Sequence, residues 1–149
     1  MNEEEIKIFI NSVLNYFQST TGIEPKTGVP YIKNEQLPAE HVIIGAINIS
    51  GDMQGCVYFA CGPDVLDEIV VKILGETSSS ESHRLDMVGE IANTIAGNAR
   101  RHFGPGYLIS IPAVSTGGDD ALQGQLKDPA FVIPIDWNSK SCSLVVGVG

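Results

Sequence analysis

The chain has 149 residues, 43% of them hydrophobic, which suits one domain with a sizeable core and excludes a disordered or fibrous protein. Nine basic against eighteen acidic residues leave a formal charge of −9; this repels phosphate backbones, and no basic stripe offsets it, so nucleic-acid binding is not expected. No apolar run reaches the roughly 18 residues that a membrane span needs, and the acidic start "MNEEEIKIF" is unlike the basic start of a signal peptide. The expectation is one cytoplasmic domain over residues 1–149 with no membrane association.

Residues 3 to about 17 form the first predicted helix. Ile6, Phe9, Ile10, Val13, Leu14 and Phe17 recur every three or four residues as one apolar stripe. Glu3, Glu4 and Glu5 complement the dipole in the first turn, and Gly22 is the expected stop. The segment "GIEPKTGVPYIKNEQLP" is expected as a connection. "HVIIGAINIS" and "QGCVYFAC" follow as two strands of a hairpin around "SGDM". A second helix starts at Pro63 and Asp64 and stops at Gly75, with Val65, Leu66, Ile69, Val70, Ile73 and Leu74 on its apolar face. "TSSSES" is a polar linker. A third helix spans about 83–102 and ends at "GPG". "YLISIPAVS" is a strand in which Pro112 marks an edge or a bulge. "TGGDDALQGQLKD" is a loop, and "FVIPIDW" and "SCSLVVGV" are a hairpin around "NSK". No clear internal repeat is visible. The pattern points to an α+β fold, an antiparallel sheet covered by helices.

Three cysteines and three histidines show no metal-ligand spacing, so no metal site is expected. Cys56 and Cys61 are five apart in a predicted strand and should point to opposite faces. Cys142 lies far along the chain.

The third helix carries the functional signal. At 100° per residue, Leu85, Val88, Ala92, Ile95, Ala96, Ala99 and Phe103 gather on the side expected to pack on the sheet. Asp86, Glu90, Asn93 and Gly97 gather roughly opposite, at spacings of four, three and four. A carboxylate and a carboxamide thus leave the helix one turn apart in the same direction. Gly97 removes a side chain and lets another surface approach, though Gly costs about 1 kcal/mol against Ala in a helix. Arg100 and Arg101 suit the negative end of the dipole as solvated residues, and Asn98, off the motif face, is structural.

The string Asp86-x-x-x-Glu90-x-x-Asn93, with "GEIANTIAGNAR" around it, resembles the signature of the CheC/CheX/FliY family of chemotaxis phosphatases, the CheX branch in particular. The opening helix, the hairpin "ISGDMQGCVYFAC", the middle helix and "ISIPAVSTG" follow in that family's order. The resemblance implies a phosphatase acting on a phosphorylated response regulator of the CheY type. It implies Glu90 contacting the regulator's active-site lysine, Asn93 positioning the attacking water, and a homodimer. No cofactor of its own is implied; Mg²⁺ is expected in the partner receiver domain. Asp86 and Gly97 would border the partner. The family has a proline after this helix, for which Pro112 is the candidate. Some members carry two motifs, but Glu68 is followed three residues later by Val71, and Glu3, Glu4 and Glu5 by no Asn, which leaves one site. A probe inserted into another protein's active site predicts no pocket of its own. The apolar strands "FVIPIDW" and "SCSLVVGV" would supply an exposed edge for dimer pairing.

Two other readings compete. The same helix could dock and sequester a receiver domain without catalysis. A self-contained hydrolase would use Ser78 to Ser82 with His83, or Cys61, but no nucleophile elbow, P-loop or metal motif accompanies them.

Overall fold

The computed structural model describes residues 1–75 and 80–149. Helix α1 (Glu3–Thr21) is followed by two short strands, β1 (Lys26–Thr27) and β2 (Tyr31–Ile32), then the β3 (Ile43–Gly51) and β4 (Gly55–Cys61) hairpin. Helices α2 (Pro63–Leu74) and α3 (Glu81–Phe103) come next, then β5 (Tyr107–Ile109), β6 (Ala113–Ser115), β7 (Phe131–Trp137) and β8 (Lys140–Val148). Helix limits follow local chemistry. Asn2 and Glu5 form a reciprocal capping box at the start of α1, and Gly22 and Gly75 end α1 and α2 in the left-handed region, at φ 74° and 70°. Asn138 and Ser139, at φ 49° and 64°, make the tight β7–β8 turn whose twist matches the strands. Asn138 also donates to Glu68 of α2 at 2.7 Å, beside Lys140 at 3.0 Å. Glu68 is therefore a tie between α2 and the hairpin.

The expected α+β architecture is found. All pairings in the sheet are antiparallel, in the order β1-β7-β8-β4-β3-β5, with β2 also on β7 and β6 also on β3. The strands β1 and β2 were expected as plain connection; two residues each carry no periodicity to detect. They cover the outer side of β7, and β8 lies inside the sheet between β7 and β4. The last two strands therefore offer no open edge, and the expected edge for dimer pairing is corrected.

Phe9, Val13 and Phe17 of α1, Leu66 and Ile69 of α2, and Ile91 and Ile95 of α3 bury against Ile47, Phe59, Leu144 and Trp137 on one sheet face. The other face carries Ile44, Tyr58, Val132 and Val145 under Leu37, Leu122 and Leu126. The expected loop there contains a short 3-10 helix, Asp120–Gln125. Asp119 straps this segment down: it pairs with Lys33 at 2.9 Å and accepts from the Tyr58 hydroxyl at 2.8 Å. Cys61 and Cys56 do lie on opposite faces, but Cys142 is directly opposite Cys61 in the β4–β8 ladder, brought there by the fold despite its separation in sequence. All three cysteines are free and buried. The buried His41 ring sits between Ser143 Oγ (3.0 Å) and Ser141 Oγ (2.8 Å), and burial lowers its pKa.

The topology shows a repeat that the sequence hides. A helix, a broken edge strand and a hairpin occur as α1, β1/β2, β3–β4 and again as α3, β5/β6, β7–β8. Each half's edge strand joins the other half's hairpin: β1 and β2 pair with β7, β5 and β6 with β3. Both edges carry a one-residue slip. Thr27 opposes Ile135 while Tyr31 opposes Val132, and Ile109 opposes Ile49 while Ala113 opposes Ala46. Aligning the helix ends Gly22 and Gly104 also aligns Pro30 with Pro112. Asn11 then falls where α3 has Asn93, but Ile8 falls where it has Glu90.

Candidate functional site

Helix α3 is fastened along its length. Ser80 accepts from the His83 amide at its start, and the Arg84 guanidinium forks onto Asp67 of α2 at 2.7 and 3.1 Å. At its middle α3 crosses β3 where a Cβ on Gly45 would lie 2.4 Å from the Val88 carbonyl oxygen. Only glycine lets the helix backbone come that close. At its end Arg100 Nε donates to the Tyr107 carbonyl at 2.7 Å, which ties "GPG" to β5; Arg100 is thus a brace as well as an exposed charge. Val88, Ala92, Ile95, Ala96 and Ala99 bury as expected, while Leu85 and Phe103 are only partly buried. Met87, Gly89 and Ile91 are buried too, because α3 packs on α1 and α2 as well as on the sheet. Asn98 lines a small cleft with Asn11 and Asn15 of α1, away from the motif face.

The expected site residues stand where the helical arithmetic puts them. Asp86, Glu90 and Asn93 are exposed on one face of α3. Among the described residues, no hydrogen bond or ion pair engages the side chain of Glu90 or Asn93. The negative charge of Glu90 is nonetheless felt inside: the Tyr16 phenol on α1 is held well above its ordinary pKa, by burial first and by Glu90 second. Gly97 lies further along, bordering a shallow depression with Arg100, Arg101 and Pro105. A Cβ on Gly97 would meet nothing within 4 Å.

A site without any pocket was expected. The structure corrects this: Asp86, Glu90 and Asn93 form one wall of an open groove of about 650 Å³. The other wall is the break between β5 and β6, with Ser110, Ile111, Pro112 and Val114. That break is the bulge foreseen at Pro112. Ser110 donates its amide to the Asn48 carbonyl at 3.0 Å and takes the Asn48 amide on its hydroxyl at 2.9 Å, so a side chain completes the ladder where the backbone departs from it. Gly89 sits under the bulge; a Cβ there would approach Val114 Cγ1 at 3.0 Å and Pro112 at 3.5 Å. The proline of "ISIPAV" signals the bulge, but nothing in the sequence shows that it faces Gly89.

Cys61 and Ser80 are poorly placed as nucleophiles. Cys61 is fully buried, and burial pushes its thiol well above the ordinary range. Ser80 is committed to the helix cap. Residues 76–79, which include Ser78 and the first half of the expected linker, lie outside the described residues.

Comparison with known proteins identifies the family. The family described as chemotaxis phosphatase CheX matches residues 43–136, from β3 through α3 into β7. The chain belongs to the CheX family. One relative, the CheY-P phosphatase CheX of Thermotoga maritima, is 27% identical over 125 residues, covering 80% of this chain and 79% of that protein. Among solved structures, a CheC-like superfamily protein from Shewanella sp. PV-4 is 25% identical with a TM-score of 0.84, covering 100% of this chain and 99% of the other. The CheX of Borrelia burgdorferi in its complex with CheY, BeF₃ and Mg²⁺ is 17% identical with a TM-score of 0.76, covering 96% of each chain. In this CheX-family chain the family match takes in the whole of α3 and the bulge that faces it.

Proposed function

We propose that this chain accelerates hydrolysis of the aspartyl phosphate on a CheY-type response regulator, with Glu90 and Asn93 as the working pair. One observation carries the reading: in a chain of this family, a carboxylate and a carboxamide stand exposed and without partners among the described residues, on a helix braced at its start, middle and end. The name of the Thermotoga relative and the Borrelia complex with CheY point to the same substrate.

The chemistry asks little of the enzyme beyond geometry. An aspartyl phosphate is an acyl phosphate, already activated. Water attacks phosphorus, the bond from phosphorus to the carboxyl oxygen breaks, and the products are the regulator's aspartate and inorganic phosphate. Mg²⁺ belongs to the regulator in this reading; among the described residues no three His, Cys, Asp or Glu side chains assemble to hold a metal. What remains is to hold a water in line. A carboxamide has both acceptor and donor atoms, so Asn93 orients that water without changing its own protonation. Glu90 pairs with a lysine of the regulator and fixes the register of the two proteins. Asp86 and Gly97 border the contact, Gly97 by leaving room for it. The setting is cytoplasmic and the working state a homodimer, to be checked by sedimentation.

The test is phosphate release from regulators charged with acetyl phosphate. Glu90→Ala and Asn93→Ala should each lower the stimulated rate by roughly 100-fold or more, with melting temperatures unchanged because both side chains are exposed. A wild-type chain that binds the regulator yet gives no faster release would leave a sequestering module instead.

A further inference from the structure

We propose that Ile111, carried on the β5–β6 bulge, is the apolar anchor that holds the regulator against Glu90 and Asn93 and so sets affinity rather than turnover. The inference rests on the function proposed above. Ile111 is 87% exposed, so a partner surface laid over it takes nearly a whole aliphatic side chain out of water. Its position is built rather than accidental. Ser110 locks one side of it to Asn48 through two hydrogen bonds, and Pro112 on the other side packs over Gly89. Val114, 42% exposed, extends the apolar surface along the same wall. The occupant follows from continuity. Ile111 and Val114 share one groove with Asp86, Glu90 and Asn93, so a body that brings an acyl phosphate to Asn93 has to lie against them. The partner surface they fit is an apolar patch of the receiver domain bordering its phosphorylated aspartate. Polar residues on the helix wall then align the reaction while the strand wall supplies the non-directional part of binding.

The repeat provides an internal control. Val29 occupies the equivalent bulge, is 85% exposed and also precedes a proline, but the helix position matching Glu90 holds Ile8. The experiment is steady-state dephosphorylation of the CheY-type regulator on which wild type is fastest, with melting curves for every variant. Ile111→Ser should raise KM roughly tenfold and leave kcat within about twofold, with the same melting temperature as wild type, and Ile111→Leu should recover most of the affinity. Val29→Ser should leave both constants unchanged. An unchanged KM for Ile111→Ser, or a loss confined to kcat, overturns the anchor while the phosphatase reading stands. Absence of stimulation by wild type overturns both.

Discussion

Gly97 weakens α3 by about 1 kcal/mol relative to alanine, and nothing among the described residues needs it, since a Cβ there would touch none of them. Gly45 and Gly89 differ, because their missing side chains admit a helix and a bulge respectively. Gly97→Ala should therefore stabilise the chain by about 1 kcal/mol in urea unfolding. Gly97→Leu should stay folded but raise KM for the phosphorylated regulator. A leucine that leaves KM untouched would mean that no surface approaches there. At this scale the sequence was informative where helical periodicity governs. Asp86, Glu90, Asn93 and Gly97 could be placed on one side of a rod by angle alone, because the burial of Val88, Ala92, Ile95 and Ala96 set which side that was. Gly89 and Ile111 were not legible, because their roles depend on how the β5–β6 edge slips by one on β3 and comes to lie against α3.

Among the elements, a buried ion pair helps to strap residues 117–128 onto the second sheet face, beside the packing of Leu122 and Leu126. The side chains of Lys33 and Asp119 are 3% and 4% exposed. Burial raises the Asp119 pKa, but the hydrogen bonds from Lys33 and Tyr58 outweigh it and hold the carboxyl below its ordinary value. A carboxyl depressed on folding stabilises above its unfolded pKa, about 3.9, and that stabilisation disappears as pH falls through the lower folded value. Asp119→Ala leaves the Lys33 ammonium buried and unpaired and should cost about 3–5 kcal/mol at pH 7. The same variant should lose less than wild type between pH 5 and 2, as urea unfolding at a series of pH values would show. The three helices and the two hairpins were legible because each is long enough to show a period or a turn signal. The pairs Lys26–Thr27 and Tyr31–Ile32 were not, since a two-residue strand exists only through its partner β7.

Over the whole molecule the two halves are equivalent in topology and unequal in chemistry. Asn11 matches Asn93 in position, yet Ile8 replaces the carboxylate one turn before it. Asn11→Ala should leave stimulated phosphate release within about twofold of wild type, whereas Asn93→Ala should lower it by roughly 100-fold or more; a large loss from Asn11→Ala would make the chain a two-site enzyme. Cys56, Cys61 and Cys142 are all buried at the centre of the sheet, so thiol labelling in the native state should proceed only as fast as the core opens. The α+β class was within reach of the sequence because it follows from the order of helices and strands. The twofold plan was not. Its surviving sequence trace is a glycine closing each helix and an aliphatic residue before proline in each bulge, too little to stand out from background.

The exchange of edge strands means that neither half possesses a finished sheet. A fragment ending after α2 would have the β3–β4 hairpin but no β8 to lie beside β4, and its β1 and β2 would have no β7 to bind. The complementary fragment would be bereft in the mirror sense. Each piece alone would display unsatisfied backbone along two borders and tend to clump. Mixed, the two should restore one another, a reassembly that co-expression of the severed halves would reveal.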